Sequence, residues 1–140
     1  MAEPHTFRLP NDLSEVPRLR DRFVQSCVAA GVAEEDMQGS MLVFTELVNN
    51  AIEHGCKLPE DHVEGWYLIT EARIEVEVTD PSEVLSQEDF SQSDATDFAE
   101  TGRGAGLFLI QALADEVAVA RGPHGGTTVR VIKNRGRGAA

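Results

Sequence analysis

Glu46, Asn50 and His54 follow one another at four-residue steps within Phe44-Thr45-Glu46-Leu47-Val48-Asn49-Asn50-Ala51-Ile52-Glu53-His54, a spacing that stacks side chains along one stripe of an α-helix. The residue types on that stripe suit phosphoryl chemistry. The carboxamide oxygen of Asn50 is a hard donor of the kind that holds Mg²⁺ together with waters and phosphate oxygens. Glu46, a carboxylate one turn away, can take the proton of a hydroxyl or water that attacks phosphorus. Taken alone, the triplet also describes the wet face of an amphipathic helix. A second feature favours the chemical reading: Thr101-Gly102-Arg103-Gly104-Ala105-Gly106-Leu107-Phe108 sets small residues where a loop meets a helix start. Free backbone N–H groups and the helix dipole attract phosphate at such a place. The segment is neither a Walker loop, for no Gly-Lys-Ser/Thr follows, nor a dinucleotide fingerprint. Asp80 closes a strand, where its carboxylate can accept a hydrogen bond from an exocyclic amine, although Asp before Pro81 is also ordinary turn chemistry. Thr127 and Thr128, after Gly125-Gly126, can touch a nucleotide or simply begin a strand.

Positioning these residues requires a definite set of elements. Phe7 and Leu9 alternate with polar neighbours and predict a short strand before Pro10, and Asn11 to Ser14 supplies helix N-cap residues. Val16, Leu19, Phe23, Cys27 and Ala30 then recur at helical steps up to Gly31, a left-handed C-terminal cap. A longer helix runs from about Glu35 to His54 through Met37, Met41, Phe44, Val48, Ala51 and Ile52, and stops at Gly55. Lys57 to Gly65 reads as a connection into a strand over Trp66 to Thr70. Ile74, Val76 and Val78 alternate with Arg73, Glu75 and Glu77 as a strand with one wet face, ending at Asp80-Pro81. Residues 81–103 read as a long polar loop, of the kind that is either a lid or disordered. Gly104 to Ala114 is helical, and strands Val117 to Ala120 and Thr127 to Ile132 flank a turn over Gly122 to Gly126; the tail 135–140 is loose. Helices segregated on one face of a mostly antiparallel or mixed sheet make an α+β two-layer sandwich in one domain over 1–140.

Composition narrows the class of function. The 140 residues are 41% hydrophobic and 26% charged, a globular balance. Twelve basic residues against 24 acidic give a net charge of −12, which repels nucleic acid and anionic lipid but admits a nucleotide carried with a divalent cation. Two cysteines, Cys27 and Cys56, make no disulfide framework and fit a reducing cytoplasm. The first ten residues carry no secretory pattern, and no apolar run approaches a membrane span.

The motifs, in this order, resemble the GHKL ATPase group that joins gyrase, the heat-shock chaperone, histidine kinases and the mismatch-repair ATPase. More closely they resemble the bacterial anti-sigma-factor serine kinases of the RsbW kind. The similarity runs from about Phe7 to Lys133. It is carried by Glu46-xxx-Asn50-Ala51-xx-His54 and by Gly102-Arg103-Gly104-Ala105-Gly106-Leu107-Phe108-Leu109-Ile110 followed by Asp115-Glu116-Val117. The resemblance implies Glu46 as general base, Asn50 as Mg²⁺ ligand and Asp80 as the adenine-reading carboxylate. It implies Gly102, Arg103, Gly104, Gly106 and Leu107 around the ATP phosphates, and Thr127 or Thr128 more loosely as a nucleotide contact. It further implies a sigma factor and an anti-anti-sigma antagonist as partners, no nucleic acid or membrane, and a cytoplasmic homodimer. One box departs: the family's Asp-x-Gly-x-Gly is Asp80-Pro81-Ser82-Glu83-Val84 here. If Ser82 or Val84 had to adopt a positive φ, each would cost about 1–2 kcal/mol.

Three other functions stand beside the kinase. One is a module of the same fold that regulates by occlusion with little or no nucleotide affinity. Another is a histidine-kinase catalytic domain, which would need a phosphoacceptor helix that none of His5, His54, His62 and His124 occupies. The third is a zinc enzyme built on His54, Cys56, Asp61 and His62, whose spacing matches no recognised ligand series.

Overall fold

A computed structural model describes residues 2–82, 104–122 and 124–136. In chain order these form β1 (His5–Pro10), α1 (Val16–Ala29), α2 (Glu34–Asn50), β2 (His62–Ile69), β3 (Arg73–Asp80), α3 (Gly104–Leu113), β4 (Glu116–Arg121) and β5 (Thr127–Asn134). The five strands make one sheet in the order β1-β2-β3-β5-β4. Every ladder among the described residues is antiparallel, so the expected sandwich is present and no parallel pair occurs among them.

Local chemistry accounts for most element ends. The Asp12 side chain accepts the Ser14 N–H at 2.9 Å and caps a short 3₁₀ turn, Leu13–Glu15, that leads into α1. Gly31, at φ 69°, takes the left-handed conformation after α1. α2 starts without a side-chain cap, but Glu34, Glu35 and Asp36 in its first turn complement the helix dipole. Its buried positions, Ser40, Val43, Phe44, Leu47, Val48 and Asn50, recur at three- and four-residue steps.

The aromatic centre of the core fixes α2 on the sheet. Phe23 stacks on Phe44 at 4.6 Å between ring centroids, and both meet Tyr67 edge-on, at 5.0 and 5.7 Å. Tyr67 is fully buried, and its hydroxyl finds Ser26 Oγ at 2.9 Å. With one flank of α2 held by α1 and the sheet, its other flank, which carries Glu46 and Asn50, meets α3.

Two expectations need correction. β2 begins at His62, not Trp66, because β1 pairs with it down to Pro10–His62. Gly65 is therefore a strand residue, set so tightly that a Cβ would lie 2.1 Å from the Glu77 carbonyl oxygen and 2.8 Å from Phe7 Cζ. The expected wet face of β3 is also not wet throughout. Glu75 is 4% exposed, held by Arg73 at 3.2 Å and Arg130 at 2.6 Å, while Arg130 lies 5.3 Å over the Trp66 ring and Trp66 donates to Glu77. Flanking guanidinium groups supply the partners without which a carboxylate could not be buried there.

Candidate functional site

The first turn of α3 docks across the stripe that α2 presents. A Cβ built on Gly106 would lie 2.7 Å from Glu46 Oε2 and 2.9 Å from Asn50 Nδ2, so Gly106 converges on a pair of residues more than fifty positions earlier in the chain. Gly106 permits that approach because it carries no side chain. Asn50 is 8% exposed and its Nδ2 is buried without a hydrogen-bond partner. A buried amide N–H left unmatched costs about 1–3 kcal/mol, and such a donor calls for an acceptor oxygen. Beside it, burial and then the Glu53 carboxylate push the Glu46 carboxyl above its ordinary range, so its proton is held more tightly than usual. The Asn50 carboxamide oxygen is a hard donor that fits a magnesium ion bringing its own waters and phosphates.

Below Asn50 the helix changes character. Ala51–Gly55 forms a π-turn, so the regular spacing suggested for His54 ends at Asn50. His54 is a third exposed, with Nε2 3.9 Å from Glu53 Oε2. The π-turn delivers Gly55 against Asp80, where a Cβ would sit 2.3 Å from the carboxyl carbon.

Asp80 closes β3 at 6% exposure. Its Oδ1 accepts the Ser82 N–H at 2.7 Å, an Asx turn. No non-glycine residue among those described has a positive φ, so Ser82 follows a path that any L-residue tolerates and the feared strain is absent there. Val84 lies outside the described residues. In the ladder Asp80 faces Thr127, which faces Arg121. Thr127 donates its hydroxyl to the Ser82 carbonyl at 2.5 Å and accepts from Arg121 Nη1 at 3.2 Å. Strand alternation decides between the two threonines. Thr127 is fully buried on the face toward the helices, whereas Thr128 pairs with Thr79 at 2.8 Å on the other face. The single proton of Thr127 is already given to Ser82, so toward a ligand this hydroxyl can only accept.

Between Asn50 and Asp80 lies a cavity of about 10 Å³, walled by Leu47, Ala51, Val78, Leu107 and Ile110; that is room for one water. Leu107, expected as a nucleotide contact, is one of the apolar walls of this cavity. A larger hollow of about 710 Å³ opens at the far side of Asp80 along Trp66, Glu77 and Thr79, and neither Glu46 nor Asn50 lines it. Gly104 opens α3, whereas Gly102, Arg103 and nearly all of the expected lid lie outside the described residues.

The zinc constellation does not assemble. Asp61 Oδ2 is taken by the N–H groups of Lys57 and Leu58, both at 2.8 Å, and no group of three metal-ligating side chains occurs among the described residues. Burial, Asp61 and Asp80 push the Cys56 thiol up to about 11. Sequence reasoning missed Arg121 and Gly126, read Gly55 only as a helix stop, and read Ser82 only as a lost glycine. A Cβ on Gly126 would meet the Asp80 carbonyl oxygen at 2.0 Å.

A family model described as the histidine kinase-like ATPase domain matches residues 9–133. The serine-protein kinase RsbW of Staphylococcus epidermidis is 29% identical over 135 residues, covering 90% of this chain and 83% of that protein. The Staphylococcus aureus protein of the same name is 30% identical over 137 residues with the same coverage. Among solved structures, a chain of the SiaB–SiaC complex from Pseudomonas aeruginosa superposes with a TM-score of 0.69 at 14% identity, over 91% of this chain and 88% of its own. A Mycobacterium tuberculosis structure of RsbU and RsbW domains gives 0.65 at 19% identity over 96% of this chain, which spans only 33% of that longer one. Both agree with the layered fold described above.

Proposed function

The chain belongs to the histidine kinase-like ATPase domain family, and on that premise we propose that it is an ATP-dependent serine/threonine-protein kinase and anti-sigma factor. Its phosphoacceptor is a small anti-anti-sigma antagonist, and the pair works in a partner-switching circuit without direct nucleic-acid or membrane contact. A homodimer in the cytoplasm is part of the same proposal. No helix among the described residues is long and apolar enough to cross a membrane. The observation that carries the reading is the convergence of Glu46, Asn50 and Gly106 around a buried, unmatched amide.

When bound, Mg²⁺ offsets the charge of the phosphates. Asn50 would hold the ion through its carboxamide oxygen, and Gly106 would admit phosphate oxygens by leaving backbone uncovered at the α3 start. Glu46 orients the acceptor hydroxyl and takes its proton, and its raised pKa makes it a stronger base than an ordinary glutamate. Asp80, one oxygen engaged by Ser82, presents a carboxylate to the exocyclic amine of the base, while Leu107 and Val78 cover the base's apolar face.

The test is transfer of labelled phosphate from ATP to the antagonist, identified by affinity capture with this chain. Glu46→Ala retains nucleotide binding and loses about 10²–10⁴-fold in rate; equal transfer by variant and parent removes Glu46 from the role. One observation favours a second reading, regulation by occlusion alone: the cavity joining Asn50 to Asp80 is about 10 Å³ and must widen before a base enters. Calorimetric titration with Mg-ADP separates the two, since the occlusion module gives no heat at millimolar nucleotide.

A further inference from the structure

Gly55 sits at the end of the π-turn, where a glycine after a helix ordinarily serves as a left-handed cap. That explanation fails here, because the only described glycines with a positive φ are Gly31 and Gly125. The backbone at position 55 is therefore open to alanine, and what forbids a side chain is space. The three nearest atoms to a Cβ at Gly55 all belong to the Asp80 side chain: Cγ at 2.3 Å, Oδ2 at 2.5 Å and Cβ at 2.6 Å. Around the same residue, Gly126 lies against the Asp80 main-chain carbonyl and the Ser82 N–H holds Oδ1. The Asp80 carboxylate is thus held between the Ser82 N–H and the bare Cα of Gly55.

We propose that Gly55 is a positioning residue that sets the direction of the Asp80 carboxylate toward the base of the nucleotide. The five-residue winding of Ala51–Gly55 is the device that brings it there. An i→i+5 turn is wider than an α-turn and occurs mostly as single turns at functional sites, and this one starts immediately after Asn50. One local irregularity thereby links the residue assigned to the metal with the residue assigned to the base. The inference rests on the reading of Asp80 as the base-recognising acid, and the experiment keeps the two apart.

Gly55→Ala, Asp80→Gly and the double variant are compared with the parent in two measurements. Titration with Mg-ADP and with Mg-GDP reads recognition. Gly55→Ala lowers Mg-ADP affinity about tenfold or more, the worth of a hydrogen bond to a charged group, and its preference for Mg-ADP over Mg-GDP falls toward one. A merely destabilised protein would keep that preference in its folded fraction. The double variant binds no worse than Asp80→Gly. Melting without nucleotide reads the contact itself: Gly55→Ala lowers the melting temperature beside Asp80 far more than in the Asp80→Gly background, where the three atoms nearest to a new Cβ are gone. Parent-like affinity and preference in Gly55→Ala, or losses that multiply in the double variant, overturn the positioning role. An equal drop in melting temperature in both backgrounds overturns the contact. Absence of Mg-ADP binding by the parent overturns the base-recognising role of Asp80, while the melting comparison continues to report on Gly55.

Discussion

Gly106→Ala separates folding from function by sign. The added Cβ would stand 2.7 Å from Glu46 Oε2 and 2.9 Å from Asn50 Nδ2, against the 3.4 Å at which ordinary contact begins, so those atoms must retreat by about 0.7 and 0.5 Å. Both are the far ends of flexible side chains, and turning them off their rotamers costs about 0.5–1.5 kcal/mol. Alanine in place of glycine within α3 returns about 0.5–1 kcal/mol of backbone entropy, so stability stays within about 1 kcal/mol of the parent. The site has no such compensation. The displaced groups are the proposed base and the proposed metal ligand, and losing one charge-assisted contact is worth about 1.5–3 kcal/mol, or roughly 10–100-fold in Mg-ADP affinity. Calorimetric titration with Mg-ADP and a melting curve on the same sample give both quantities. Affinity within about twofold of the parent would refute the convergence of Glu46, Asn50 and Gly106 on one ligand.

Other consequences follow from the same geometry. Because burial and then Glu53 raise the Glu46 pKa, phosphoryl transfer climbs with pH above the ordinary glutamate range, and Glu53→Gln moves that limb to lower pH in a kcat/KM profile. The raised value also favours the fold below the ordinary glutamate range, a contribution lost as pH rises through it; Glu46→Gln therefore melts above the parent at neutral pH and together with it in acid. Ser82→Gly, which restores the glycine expected two residues after Asp80, does not raise Mg-ADP affinity, since Ser82 already has an unstrained φ. It lowers stability by about 0.4–1 kcal/mol through the freer unfolded chain, read from chemical denaturation. Arg135 donates to the Thr70 carbonyl at 2.8 Å and to the Ala30 carbonyl at the α1 C-terminus at 3.3 Å. Arg135→Ala costs about 1–2 kcal/mol, seen as a fall of several degrees in melting temperature.

The periodicities were legible because they record which face of each element is dry. Phe23 and Cys27 on α1, Phe44 and Val48 on α2, and Val76 and Val78 on β3 all point into the core as their spacing requires. Glu46 and Asn50 were legible for a related reason: four-residue spacing on a regular helix is local geometry. Gly65 misled because glycine marks turns far more often than strand interiors, and only the ring of Phe7 and the Glu77 carbonyl show why it belongs in β2. Glu75 misled likewise, since alternation reports a wet face without knowing that Arg73 and Arg130 will close over it.

From the sequence alone came the element order, the separation of helices from sheet, the stripe of Glu46 and Asn50, and the glycines that allow close approach. Tertiary structure decided which of those glycines touch which acids. It set Gly106 on Glu46 and Asn50, set Gly55 and Gly126 on Asp80, turned Thr127 inward and Thr128 outward, and let Ser82 stand where a glycine was expected. The physical reason is range. Spacing along one element fixes which residues share a face, whereas contacts between α2, the π-turn, α3 and β3 depend on how separate elements pack, and no local pattern encodes those distances.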